Sequence, residues 1–302
     1  MDSSSQKKSG PGFRVCAIIK DIKPAHTVFA LPFVFAGAAL AFQYEGFFDT
    51  PGFIWKMLWI SAAAFGARST AMAFNRLVDA EIDAKNPRTA NRPIPAGIVS
   101  GRDYAVFIII SAGLFFLSAA MLNFTALALS PVVIIIVCGY SFTKHFTALT
   151  HFFLGLSLGL APAGAWIAVT AQPAGLEIPA LLGAAVLTWV AGFDMIYACR
   201  DCDVDRRLSV HSFPARFGLA GTLTASALSH AAMVVILIIL WAIAPPLGMI
   251  FIAGLIPAAA LLVIEHLVVR PDDLSRVDTA FFTLNALVSV VLAAAIIIDC
   301  LL

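Results

Sequence analysis

The stretch NRLVDAEID, residues 75 to 83, directly follows the apolar run FIWKMLWISAAAFGARSTAMAF of residues 53–74. A run of this length can cross a bilayer, because about 20 helical residues span the roughly 30 Å hydrocarbon core. The crossing ends in one amide and three acids. Polar residues at a helix end can be an ordinary solvated terminus, so their meaning depends on the rest of the chain.

Composition places the chain in a membrane. Hydrophobic residues make up 61% of its 302 residues and charged residues only 12%, against about 25% charged in an average soluble domain. We therefore predict an all-α integral membrane protein with about nine transmembrane helices, in which a polar cytoplasmic tail (1–20) precedes a single membrane domain (21–302). The apolar segments cover residues 26–44, 53–74, 104–122, 125–142, 151–170, 179–199, 220–241, 247–268 and 279–298.

The basic residues predict the orientation. With nine spans and the amino terminus in the cytoplasm, Lys56 is the only one of the 19 Lys and Arg residues that falls outside the cytoplasmic segments, as the positive-inside tendency requires. The opening MDSSSQKKSG lacks the apolar core and small-residue cleavage site of a signal peptide. We expect a multi-pass protein of the bacterial inner membrane.

A second polar stretch, FDMIYACRDCDVDRRLSVHSFPARFG, ends the sixth segment. It lies four segments after the first stretch, so both emerge on the same side. Spacings of four place Asn75, Asp79 and Asp83 within about 80° of one helix face. In the second stretch Asp194, Asp201 and Asp205, separated by seven and four residues, form a similar stripe, whereas Asp203 points away.

Two pairs of carboxylates on one side indicate a bound cation, because like charges four residues apart on a helix repel. Mg²⁺ suits oxygen ligands and is typically held by one or two carboxylates together with substrate phosphates, whereas no His or Cys cluster suggests zinc. A bound diphosphate would also need basic partners. The candidates in the same loops are Arg68, Arg76, Arg88, Arg92, Arg200 and Lys144.

Through these two stretches, the sequence resembles the UbiA superfamily of intramembrane aromatic prenyltransferases. Asn75-x-x-x-Asp79-x-x-x-Asp83 matches the family's first motif, and Asp201-x-x-x-Asp205, introduced by Tyr197, matches its second. The segment YSFTKHF, residues 140–146, resembles the family's Tyr-x-x-x-Lys loop through Tyr140 and Lys144, and NRPIPAG, residues 91–97, resembles its Arg-Pro-Leu-Pro-x-Gly segment.

The chain departs from the family pattern in three places. Arg76 stands where an Asp often follows the motif's Asn, Val204 interrupts a frequent Asp-Asp, and His211-Ser212 replaces a common Lys-Ser. Within the superfamily the chain is most similar to the bacterial 4-hydroxybenzoate polyprenyltransferase branch, which includes members assigned to the futalosine route to menaquinone.

The resemblance implies nine helices around a central cavity that opens to lipid, with a cytoplasmic acidic cap. It also implies transfer of a polyprenyl group from an allylic diphosphate to a ring carbon of a 4-hydroxybenzoate-type or dihydroxynaphthoate-type acid, in quinone biosynthesis. The implied partners are these two substrates and membrane lipid, and no nucleic acid is expected. Asp79, Asp83, Asp201 and Asp205 would bind Mg²⁺ and diphosphate with Asn75 ligating or orienting, and the other implied diphosphate-binding residues are Arg68, Arg88, Lys144, Tyr140 and Tyr197.

Two further acids lie within or near the apolar segments. An acid inside a membrane span is a functional candidate by default, so Asp194 is expected to anchor Tyr197 or a basic partner, or to assist deprotonation of the acceptor ring. Glu265 is expected at the membrane interface.

Other classes of protein remain open alternatives. An ion-coupled transporter could use the intramembrane acids, although transporters tend to place them near the midplane. A lipid-binding scaffold would leave the paired acids unexplained. A phosphatidyl-alcohol phosphotransferase would require a denser acidic signature.

Overall fold

A computed structural model describes residues 10–46 and 52–302. Within these ranges the chain is helical, and the only β pairing is an isolated bridge between Arg270 and Asp273. Two 3₁₀ segments, Pro24–Phe29 and Cys199–Asp201, and one π-helical turn, Thr279–Leu284, interrupt the α-helices. The α-helices are α1 Pro11–Asp21, α2 Leu31–Tyr44, α3 Phe53–Val78, α4 Ala80–Lys85, α5 Gly101–Leu122, α6 Phe124–Thr143, α7 Thr150–Thr170, α8 Glu177–Ala198, α9 Cys202–Arg207, α10 Phe213–Ile243, α11 Met249–Val268 and α12 Asn285–Leu301.

Seven helical segments of the described chain are long and apolar enough to cross a membrane. They contain α5, α6, α7, α8, α10, α11 and α12. Of the other two expected spans, α2 is apolar but has only 14 residues, about 21 Å of helix. The other, α3, has 26 residues but is less apolar, since it carries Lys56, Arg68 and Arg76. The all-α multi-pass fold is confirmed, and the count of nine spans stays a prediction.

The segment assigned to a polar tail, residues 1–20, is described only from residue 10. Its second half forms most of α1, which is amphipathic. Ile18 is buried together with Ile22, and the two pack in a cluster with Ala73 of α3 and Tyr104 of α5. The amino-terminal helix is therefore attached to the bundle through an apolar face.

Asn123 separates the third and fourth apolar segments. It is the single residue between α5 and α6, and its extended backbone breaks the helix. Its side-chain oxygen accepts a hydrogen bond from Ala126 N (2.8 Å), which caps α6. Its side-chain nitrogen donates to the carbonyl oxygen of Ile167 (2.8 Å) in α7. The Asn123 amide therefore caps α6 and also ties the break between α5 and α6 to α7.

Glycine allows α7 and α8 to approach at backbone contact. A Cβ on Gly155 would lie 2.3 Å from the carbonyl oxygen of Leu187, and one on Gly159 would lie 2.5 Å from that of Gly183. Small residues spaced by four favour such close packing between membrane helices. This contact sets the distance between the first turn of α7 and the last turns of α8, both of which carry site residues.

A buried polar cluster ties α8, α11 and α12 together. Glu265, one turn before the end of α11, is fully buried in the protein. Asn285 donates to Glu265 Oε1 (2.9 Å) and to the carbonyl oxygen of Ala280 (3.0 Å) in the π-helical turn. It also accepts from the Trp189 indole (2.6 Å). Glu265 stays inside the protein because an amide from a neighbouring helix satisfies one of its oxygens.

Candidate active site

The first acidic motif lies at the junction of α3 and α4. Asp79 N donates to Asn75 O (2.9 Å) and Asp83 N donates to Asp79 O (2.8 Å), so the i, i+4 hydrogen bonds continue across the break at Asp79. Asp79 and Asp83 are only 4% and 6% exposed. Two carboxylates this far from water need positive partners.

The second motif follows α8 through the 3₁₀ segment Cys199–Asp201 and α9. Asp201 lies in the 3₁₀ segment, and Asp205 lies one turn later in α9. Ser212 accepts a hydrogen bond from Ala215 N (3.3 Å) as the N-cap of α10, and its side chain lies near the Asp205 carboxylate. The start of α10 thus lies beside the second carboxylate of this motif.

Arg88 joins the two motifs. Its guanidinium binds Asp201 through two atoms, Nη2 to Oδ2 at 2.5 Å and Nε to Oδ1 at 3.0 Å. Nη1 donates to the Tyr197 hydroxyl at 3.2 Å. Asn86 adds a third bond to Asp201, at 3.1 Å, and accepts from Arg88 N at 2.9 Å. The loop after the first motif therefore holds the second motif by a fork-shaped, charge-assisted contact.

The first-motif acids have cationic partners of their own. Lys144 Nζ forms an ion pair with Asp79 Oδ2, and Arg92 Nη1 contacts Asp83 Oδ2 at 2.6 Å. The loop of Lys144 is linked to the second motif because His211 N donates to the Lys144 carbonyl oxygen at 2.8 Å. The two acidic motifs, whose nearest acids Asp83 and Asp201 are 118 residues apart in the chain, face one another across these bases.

Lys23 lies close to the basic residues of the site. Partial burial, together with repulsion by Arg76, Arg92 and Arg88, lowers the pKa of Lys23 from its usual value. Lys23 follows α1, and the guanidinium groups that act on it come from α3 and the loop after α4. Converging cations of this kind favour an anionic ligand.

Arg68, Tyr140 and Asp194 lie below this charged cap. All three line an interior cavity of about 450 Å³ whose walls, from α3, α5, α6, α7 and α8, are mostly apolar. Arg68 donates to the carbonyl oxygens of Ile22 (3.1 Å) and Lys23 (2.6 Å), and no described carboxylate bonds it. Leu129 and Val132 of α6 line the same cavity and are about half exposed, so the cavity reaches the lipid-facing side of α6.

Asn75 is held by its neighbours. It donates to Ser141 Oγ (3.5 Å), and its oxygen accepts from Arg76 Nη1 (3.2 Å). Arg76 in turn pairs with Asp21 at 3.3 Å, which also accepts from the Tyr104 hydroxyl at 2.6 Å. At the position where the family motif often has an Asp, Arg76 therefore links the motif to α1.

His151 is a site residue that the sequence did not predict. It is buried in the first turn of α7, and its Nδ1 lies 2.7 Å from Asp194 Oδ2. Phe213 N donates to its Nε2 at 3.4 Å. A lone histidine in an apolar segment has no informative spacing, so only the contact of α7 with α8 reveals its partner. Asn86 was also missed, because a polar residue in a loop gives no sign in the sequence of the partner that it contacts.

The residues present fit a hard metal ion. Asp79 Oδ1 is buried and has no hydrogen-bond partner. The acids of the cap offer carboxylate oxygens, which are the ligands that Mg²⁺ prefers. In the described chain no three His, Cys, Asp or Glu residues group closely enough to hold a metal ion alone. Asp79 and Asp83 on one side and Asp201 and Asp205 on the other would therefore hold Mg²⁺ in pairs, together with phosphate oxygens.

The chain is similar to curated bacterial prenyltransferases. A curated 4-hydroxybenzoate octaprenyltransferase of Nitrosomonas eutropha is 31% identical over 241 residues, 78% of this chain and 80% of that protein. Another, of Xanthomonas euvesicatoria, is 29% identical over 77% of this chain and 76% of that protein.

Among solved structures, the apo form of a UbiA homolog from Aeropyrum pernix has a TM-score of 0.80 and 36% identity, covering 91% of this chain and 98% of that one. A UbiA homolog from Archaeoglobus fulgidus bound to GPP and Mg²⁺ shares the fold, with a TM-score of 0.63 and 16% identity over 93% and 99% of the two chains. The model of the UbiA prenyltransferase family matches residues 30–287. The resemblance carried by the acidic motifs is thus confirmed, and the chain belongs to the UbiA prenyltransferase family.

Proposed function

We propose that this protein transfers a polyprenyl group from an allylic polyprenyl diphosphate to a ring carbon of an aromatic acid of the 4-hydroxybenzoate or dihydroxynaphthoate type, in a Mg²⁺-dependent reaction of quinone biosynthesis. The contact of Arg88 with Asp201 supports the proposal best, because it joins the loop after the first acidic motif to the second motif. The names of the curated relatives support the acceptor class.

The diphosphate would bind in the cap. Departure of this leaving group develops negative charge, and preorganised cations aimed at that charge lower the barrier. Arg88 and Lys144 line the gap between the motifs, and Lys23 adds a third cation at its edge. Mg²⁺ held by the paired acids would neutralise further charge on the diphosphate. Tyr197 stays close to Arg88 through the hydroxyl contact and a guanidinium-to-ring distance of 5.4 Å.

The prenyl chain and the acceptor ring would occupy the cavity. Its apolar walls exclude water, which would otherwise capture the allylic cation as an alcohol. The partial exposure of Leu129 and Val132 supports entry of a lipid tail from the bilayer. Arg68 and Tyr140 are positioned at the cavity surface to bind polar groups of either substrate.

We further propose that the acidic end of the bundle faces the cytoplasm of a bacterial inner membrane, with the amino terminus on the same side. The concentration of Lys and Arg in the loops at this end supports that orientation.

Purified protein in liposomes with Mg²⁺, a polyprenyl diphosphate and a panel of hydroxybenzoates and dihydroxynaphthoates tests the proposal. We expect a C-prenylated product by mass spectrometry, its loss with EDTA and its return with Mg²⁺. Asp79→Ala and Asp201→Ala are each expected to lower kcat by 10²-fold or more, on the order of other charge-stabilising deletions.

The matched control is Asp203→Ala. Asp203 is an exposed acid between the two acids of the second motif, so its removal changes the same net charge without removing a proposed ligand. Turnover retained in both Asp79→Ala and Asp201→Ala would contradict the site. Ion flux in proteoliposomes without any prenylated product would favour a transporter.

A further inference from the structure

We propose that Asp194 is the proton acceptor for the aromatic ring and that His151 is the positioning residue that holds its carboxylate ready. This inference rests on the proposed prenyl transfer and assigns the step after carbon–carbon bond formation. It starts from a buried His–Asp contact that the charged cap does not use.

The hydrogen bonds of His151 define its tautomer. The backbone N–H of Phe213 can only donate, so Nε2 of His151 is the acceptor in that 3.4 Å contact. The other ring nitrogen, Nδ1, then carries the hydrogen and donates to Asp194 Oδ2 at 2.7 Å. His151 is 3% exposed, so both ring nitrogens are used inside the protein. The imidazole has no free position to receive a proton, and toward Asp194 it acts as a donor.

Asp194 is the one carboxylate among the described residues that line the cavity. The other polar lining groups are unsuited to accept a proton: Arg68 is a cation, Tyr140 is a phenol, and the hydroxyls of Ser130 and Ser157 donate to backbone carbonyls. Of the two oxygens of Asp194, Oδ2 binds His151, and no described residue bonds Oδ1. Oδ1 is therefore available to a substrate.

The position of Asp194 along α8 places it below the second motif. It precedes Asp201 by seven residues, about 10 Å of helical rise. Its partner His151 contacts Phe213 at the start of α10, next to Ser212, so the His151–Asp194 pair lies directly beneath the cap. An acceptor ring bound in the cavity under the diphosphate would therefore lie within reach of Asp194 Oδ1.

The proposed step balances as follows. The C–O bond of the allylic diphosphate breaks with its electron pair going to the diphosphate, and a ring carbon of the acceptor forms the new C–C bond. The C–H bond at that carbon then breaks, its electron pair returns to the ring, and the proton goes to Asp194 Oδ1. The N–H of His151 stabilises the carboxylate before this transfer and keeps its free oxygen directed at the cavity.

The test separates ionisation from ring deprotonation. Pyrophosphate release reports the first step, and the split between prenylated arene and prenyl alcohol reports the second. For Asp194→Asn we expect pyrophosphate release to continue while C-prenylation falls by about 10²-fold or more, in the range of general-base removal. With an acceptor deuterated at the reacting carbon, this variant should show a primary kinetic isotope effect larger than that of the wild type.

Two His151 variants give an independent measurement. His151→Asn places an N–H donor near the position of Nδ1 and should keep most C-prenylation, whereas His151→Leu should shift product toward prenyl alcohol. Equal product splits in these two variants would overturn the role of His151.

Other outcomes decide the role of Asp194. An unchanged product split and isotope effect in Asp194→Asn would overturn it. So would loss of pyrophosphate release in the folded variant, because Asp194 would then act in ionisation. A wild-type protein that prenylates no acceptor would refute the proposed function itself, and this inference with it.

Discussion

Gly155→Ala should loosen the contact that positions His151 against Asp194. The added Cβ would lie 2.3 Å from the Leu187 carbonyl oxygen and 3.1–3.2 Å from two further backbone atoms of Leu187. Real Cβ contacts begin between 3.0 and 3.4 Å, so α7 must retreat by about 0.7–1.1 Å. Backbone atoms cannot rotate away as a flexible side chain can. Overpacking of this kind therefore typically lowers the free energy of unfolding by roughly 1–3 kcal/mol.

The same displacement has a chemical consequence. His151 lies four residues before Gly155, on the same face of α7, so it would move with the helix. Its 2.7 Å contact with Asp194 would lengthen to about 3.4 Å or more, beyond the usual range of hydrogen bonds that donate from nitrogen. We therefore expect Gly155→Ala to lower the Tm and to shift product from prenylated arene to prenyl alcohol.

Gly113→Ala is the matched control. Gly113 is an exposed residue of α5, and a Cβ there would meet no atom within 4 Å. Removing a glycine from an exposed helix interior should stabilise the protein by up to about 1 kcal/mol. Thermal unfolding in one detergent and product analysis compare the two variants. Equal Tm values and equal product splits would refute the reasoning.

Four further substitutions, at three positions, test the cap and the buried cluster. Arg88→Lys replaces a two-atom contact with Asp201 by a single ammonium, and we expect kcat/KM to fall about tenfold, the equivalent of one charge-assisted hydrogen bond. Lys144→Ala removes the cation beside the first motif and should lower kcat by 10²–10³-fold, with KM for the acceptor serving as the internal comparison. Glu265→Gln keeps an oxygen for Asn285 and should preserve the Tm. Glu265→Ala leaves that amide unsatisfied and should lower the free energy of unfolding by about 1–3 kcal/mol. Similar Tm values for the two variants would contradict this.

The local pattern of residues was sufficient to predict the class of fold and the two acidic motifs of the candidate site. Apolar segments of membrane-spanning length report helices directly, because a bilayer accepts little else. The spacing of Asp79 and Asp83, and of Asp201 and Asp205, could be read from the chain because residues four apart share a helix face. An even number of intervening spans then predicted that both pairs share one end of the bundle.

The contacts between distant segments could not be predicted from the local sequence. The choice of Arg88 as the partner of Asp201, and of Lys144 as the partner of Asp79, depends on how the loops fold over the bundle. Charge alone made six basic residues equivalent candidates. Arg68 illustrates the difference, since it shares the acidic face of α3 yet donates to backbone carbonyls after α1.

Linear spacing predicted the two acidic motifs because helical periodicity is a local property. Burial of Glu265 and the pairing of His151 with Asp194 depended on which helices pack together. A single buried carboxylate or imidazole has the same sequence signal whether it faces lipid, solvent or a partner. Close packing at residues such as Gly155 supplies that partner, and it exists only once the helices are assembled.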